Sequence, residues 1–157
     1  HLGSDIYPYA KFRIKKRFAL SKWSINWHET PFWFDNEIGW GFDSYFEVNR
    51  KTSKKSLFRA ATFARWTNEP DQFEMSQTFI MIHILIKKRA LSYDAGVYGI
   101  SETTVFAEHY LLESTYRQNI HEDYLYLDII TQIRYQKIND FHAEYTLTFR
   151  VEMFFIK

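Results

Sequence analysis

The chain contains no cysteine, which excludes disulfides, thiol nucleophiles and thiolate metal sites. Three prolines and five glycines in 157 residues leave no flexible or low-complexity linker. A single domain over 1–157 is therefore expected, long enough to bury a sizeable core. Charge of one sign is lacking as well. Twenty Lys and Arg stand against 19 Asp and Glu, a net charge of +1, so no nucleic-acid partner is expected. No apolar run approaches the ~20 residues of a membrane-spanning helix. The best stretch, 79–86, is interrupted by His83. No signal-peptide pattern opens the chain, which reads as a mature or truncated form with residues 1–6 a tag remnant or irregular lead-in.

What is present is alternation. In the last segment Ala143, Tyr145, Leu147, Phe149, Val151, Met153 and Phe155 form one row, and Glu144, Thr146, Thr148, Arg150, Glu152 and Phe154 the other. Successive side chains of a β-strand point to opposite faces, so this segment has an apolar wall and a charged wall. Nine segments repeat the pattern, over 7–19, 22–34, 39–50, 56–67, 73–86, 90–101, 105–117, 123–135 and 142–156. Short polar joints link them, the signature of successive hairpins in an antiparallel meander. No window carries a sustained 3.6-residue apolar stripe, so the fold class is all-β.

Alternation alone leaves open which wall is inside. A soluble barrel or sandwich buries the apolar row; a membrane barrel turns it outward. Three features favour the second arrangement. The strands are long, where soluble strands average about 5–6 residues and membrane-crossing ones about 9–11. The apolar row is too bulky for the bore of a small barrel. Aromatics also make up 20% of the chain, and many on the apolar row lie near strand ends. Trp23, Trp33, Trp40, Trp66, Tyr93, Tyr116, Tyr135 and Phe155 are the expected membrane-interface residues, because such rings join an apolar body to a polar edge.

The expected fold is an antiparallel up-and-down transmembrane β-barrel with about nine strands in this chain. Bacterial single-chain barrels have even strand numbers, so these strands are expected to belong to a larger barrel. Its lumen would be lined by Lys11, Arg13, Lys15, Arg17, Asp43, Glu47, Arg59, Arg65, Asp94, Glu113, Arg117, Asp128, Arg134, Glu144, Arg150 and Glu152. Both signs recur on neighbouring strands, so cross-strand ion pairs are available. Inward Phe32, Phe63, Ile80, Ile82, Ile84, Tyr98 and Phe154 argue for a narrow bore.

Catalytic patterns are scarce. His28, His83, His109, His121 and His142 lie on different strands or turns, and no phosphate loop or nucleophile elbow occurs. His109 and Glu113 share a face two pleats apart and could begin a base-and-orienter pair in a lipid-modifying enzyme. His83 falls on the apolar row and reads as lipid-facing or interfacial. Lysine-rich turns at 51–55 and 87–89 would lie at one end, with acidic turns at 35–37 and 69–71 at the other; the basic rim could dock a periplasmic partner. No catalytic, cofactor or metal residue is assigned.

The stretches Phe32-Trp33, Gly39-Trp40-Gly41, Leu57-Phe58-Arg59 with Trp66, Arg89-Ala90-Leu91-Ser92-Tyr93 with Gly96-Val97, and Tyr116-Arg117-Gln118 with Asp123-Tyr124-Leu125 span almost the whole chain. In these the chain resembles the C-terminal part of a group of uncharacterised proteobacterial outer-membrane β-barrel proteins. It departs from a typical barrel ending in the Ile156-Lys157 that follows Phe155, and in a last strand without glycine. The resemblance implies the outer membrane of a Gram-negative bacterium. It also implies contact with membrane lipid and lipopolysaccharide, protein subunits that complete or contact the barrel, and a structural, scaffold or assembly-partner role. The alternatives are the lipid-modifying enzyme above and a soluble periplasmic ligand-binding barrel.

Overall fold

The computed structural model describes residues 9–34, 39–68, 71–86, 88–101, 105–121 and 124–154. The expectations for residues 1–6, the turn 35–37, Glu69, Lys87 and Phe155 lie outside them. Among the described residues ten strands form one antiparallel sheet: β1 (Tyr9–Lys11), β2 (Ile14–Leu20), β3 (Trp23–Phe34), β4 (Trp40–Ser53), β5 (Ser56–Thr67), β6 (Gln72–Ile86), β7 (Arg89–Ser101), β8 (Val105–His121), β9 (Leu125–Gln136) and β10 (Ala143–Met153). From β3 onward each strand pairs with the next in sequence, the up-and-down order expected of linked hairpins. A 3₁₀ turn, Lys137–Asn139, interrupts the connection to β10.

β1 and β2 both pair with β3, and they are one ribbon with a gap. Lys11 faces Phe32 and Ile14 faces Glu29, so the register runs through unchanged. Opposite the gap stands Pro31, which accepts from the Phe12 N–H at 3.1 Å but has no N–H to return. One missing ladder bond splits the strand without shifting it. The first expected segment, 7–19, is thus two short strands. At the other end of the sheet β8 continues four residues past its expected end, to His121.

The strand pairings from β2–β3 through β9–β10 are all antiparallel, so β2 and β10 run in the same direction. Among the described residues these two edges do not pair with each other. The sheet is open, and the expected closed cylinder is not completed by these strands.

In the middle of the sheet the two faces differ in exposure, whereas on β2 and β10 both faces are largely exposed. Asp128 is fully buried, and Thr30, Glu47 and Asn49 are nearly so. All four lie on the charged face, as the register requires. On the other face Trp40 is 54% exposed and Tyr145 75%. In a one-layer sheet, side chains that crowd on one face and splay on the other imply a curl toward the crowded side. Here the crowded side is the polar one. Gly41 serves this face: a Cβ there would lie 2.8 Å from the Phe32 ring and collide with the Trp66 carbonyl oxygen. Only glycine lets that ring lie across the strand.

Candidate functional site

The register brings the expected lumen residues onto one face, where most of them form ionic clusters. At the β8–β10 end Arg117, Asp128 and Arg150 stand side by side on successive strands. Arg117 donates to both Asp128 oxygens at 2.7 Å, a bidentate fork, and to Glu152 at 2.6 Å. Arg150 approaches Asp128 at 2.8 Å and Glu152 at 3.2 Å. Two carboxylates and two guanidiniums thus tie three strands together with charge-assisted bonds.

At the opposite end Glu47 accepts hydrogen bonds from Tyr45, Asn26 and Asn49, each at 2.6 Å. Arg59 adds an ion pair at 3.3 Å and donates to the Asn49 amide oxygen at 2.9 Å. Nearby, Asp43 pairs with Arg65 at 2.7 Å and Lys11 at 3.7 Å. The Arg65 guanidinium sits 5.7 Å from the Phe32 ring centre and 5.6 Å from that of Phe63. Two rings flanking a cation are a favourable cation–π setting.

Other expected residues share the face without joining a cluster. Arg13 lies in the gap between β1 and β2, and Lys15 and Arg17 face His28 and Asn26. Arg134 stands opposite Glu144, whose carboxylate instead accepts from the Asn139 amide. Asp94 faces Glu113 across β7 and β8, like charge against like. Glu113 is satisfied by the side chains of Thr115 and Gln132, whereas Asp94 keeps one buried oxygen without a partner.

On the other face the expected interface aromatics stand toward the strand ends, but Trp27, Phe46, Phe79 and Phe149 lie mid-strand between them. Trp33 faces Trp40, and the Trp40 and Trp66 rings meet edge to face at 4.8 Å. Tyr110 faces Tyr135 toward that same end. Trp23, Tyr93 and Tyr116 lie toward the other end, where the Arg50 guanidinium stacks 4.8 Å above the Trp23 ring. A carboxylate also occurs on this face: Glu29 accepts from the Trp27 indole and the Ser44 hydroxyl, each at 2.7 Å.

His109 and Glu113 are not brought together. Four residues along one strand is roughly 13 Å. His109 instead stacks on Tyr98 with ring centres 4.3 Å apart. One pair escaped sequence reasoning: Ser56 and His83 face each other across β5 and β6, with Oγ 2.9 Å from Nδ1. It lies on the apolar face beside Tyr93, whose ring meets His83 edge-on. Among the described residues His83 is bonded to the Ser56 hydroxyl and to no carboxylate. Hairpin register could have exposed the pair, since both residues lie near the same lysine-rich turns. Among the described residues no group of three His, Asp or Glu could hold a metal ion.

No protein family, curated protein or solved structure matches this chain. The chemistry of the two faces therefore carries the functional reading.

Proposed function

We propose that this chain forms wall strands of an outer-membrane β-barrel of a Gram-negative bacterium, with its apolar face in lipid and its charged face lining a narrow bore. Its role in this reading is structural, as scaffold or assembly partner, and its outer contacts are membrane lipid and lipopolysaccharide. The observation that carries it is the inverted burial. A fully buried aspartate lies on one face while tryptophans, leucines and phenylalanines stand exposed on the other. Soluble sheets do the reverse, and a contiguous exposed apolar surface of this extent calls for a covering phase.

Two further features agree. The strands from β3 to β10 run from 11 to 17 residues, enough to cross a tilted bilayer path. The turns also differ between the two ends. On the side where β10 ends, Ser21-Lys22 and Lys54-Lys55 each join strands by two residues. On the other side the β3–β4 and β9–β10 connections are longer. Outer-membrane barrels keep short turns on the periplasmic side, where their last strand ends.

Because β2 and β10 run in the same direction, antiparallel closure requires an odd number of additional strands between them. The enzyme alternative loses support from the separation of His109 and Glu113. The soluble alternative loses support from the exposed tryptophans. Migration on a detergent gel before and after boiling tests the reading: a folded membrane barrel shifts on heating. Identical migration, together with full solubility in detergent-free buffer, would contradict it.

A further inference from the structure

The charged face changes character near the two-residue turns. A cavity of about 800 Å³ opens there, floored by Leu57, Ile82 and Ile84. Leu57 and Ile82 are cross-strand partners, and Ile84 is half-exposed. Around this floor stand Lys22, Lys51, Lys54 and Lys55. Their turns are held side by side by backbone bonds, from the Lys51 N–H to the Lys22 carbonyl at 2.8 Å and from the Ile84 N–H to the Lys55 carbonyl at 2.7 Å.

Elsewhere on this face, Arg59, Arg65, Arg117 and Arg150 each meet a carboxylate. None of these four lysines makes an ion pair among the described residues. Solvated lysines in a turn are ordinary. Uncompensated lysines rimming an apolar hollow are not, because water satisfies the ammonium groups but not the isoleucines. A ligand that satisfies both has a negative head and an alkyl tail. The volume lies within the usual range for small-molecule sites.

From this juxtaposition we infer that the cavity binds a single-chain anionic lipid, its phosphate head among Lys51, Lys54 and Lys55 and its alkyl chain along Leu57, Ile82 and Ile84. Lysine suits such a head as a mobile point charge that tolerates variation in the group it meets. The site lies on the charged face, so the inference goes beyond the barrel reading and does not depend on the opposite face meeting lipid.

Photolabelling of the full chain with dodecyl phosphate carrying a terminal diazirine tests it. Adducts that excess unlabelled dodecyl phosphate suppresses are expected on Leu57, Ile82 and Ile84, whereas any adducts on Phe58 and Met81, which point the other way, should not saturate. Replacing Lys51, Lys54 and Lys55 together by Glu should reduce that labelling at least tenfold, while replacing them by Arg should retain it. An equal far-ultraviolet dichroism spectrum checks that the Glu variant is folded. Three results would overturn the inference: undiminished labelling of the folded Glu variant, equal labelling by a diazirine dodecyl maltoside with its neutral head, or saturable adducts shared evenly between the two faces. Complete displacement of the probe by equimolar inorganic phosphate would also overturn it, because an anion alone would then suffice.

Discussion

Two buried carboxylates on the same face, Asp128 and Glu47, are held in opposite ways. Asp128 is gripped by the guanidiniums of Arg117 and Arg150, which reach it from the strands on either side. Glu47 rests mainly on neutral donors, the Tyr45 hydroxyl and the amides of Asn26 and Asn49, with Arg59 at the longer distance of 3.3 Å. The first carboxylate neutralises two cations that would otherwise repel each other. The second is solvated by dipoles and needs its cation far less. A sheet wall can therefore bury charge through an ionic clamp or through a polar nest, and the two should fail differently when altered.

The largest effect is expected at the clamp. Asp128→Asn keeps the shape but turns an amide toward two guanidiniums, and should destabilise by about 3–5 kcal/mol in reversible denaturant unfolding. A loss below that of any change at Glu47 would break the comparison.

The next effect concerns the other wall of the strand that completes the clamp. Leu147→Arg should lose about 2–4 kcal/mol in lipid, whereas Thr148→Arg, one residue along on the charged face, should lose less. Equal losses would mean that the two walls do not meet different media.

The smallest effect belongs to the nest. Arg59→Met leaves Glu47 with three neutral donors, so a loss of only about 1 kcal/mol is expected from the same unfolding measurement. A loss matching that of Asp128→Asn would show that charge holds both carboxylates alike.

Much of this architecture was legible in the residues. Period-two alternation placed the strands, and the charge-bearing row from Lys11 to Glu152 did fall on one face. The alignment of Arg117, Asp128 and Arg150 was not legible, because the β8–β9 ladder shifts register between Asn119 and His121 and the connection to β10 is long and holds a 3₁₀ turn. Other features depended on events with no local signature. Pro31 sits inside β3, yet its effect appears in the neighbouring ribbon, where the lost donor divides β1 from β2. A register shift in the β7–β8 ladder leaves His109 beside Tyr98, with Gly99 facing Ala107 rather than Glu108. Spacing along β8 alone could not reveal that His109 had a ring for a partner. The odd strand count had already pointed to edges that these strands do not close by themselves. The lysine-rimmed hollow was half visible: the turns announced the cations, but not the isoleucine floor beside them.

The absence of cysteine permits single-cysteine spin labels throughout, and β9 offers the most direct test of the central claim. Labels at Ile129, Thr131 and Ile133 should be relaxed by lipid-dissolved oxygen in reconstituted vesicles, while those at Ile130 and Gln132 should be shielded from it. Alternation with the opposite phase, or no alternation along the strand, would contradict an apolar face in lipid and a charged face within.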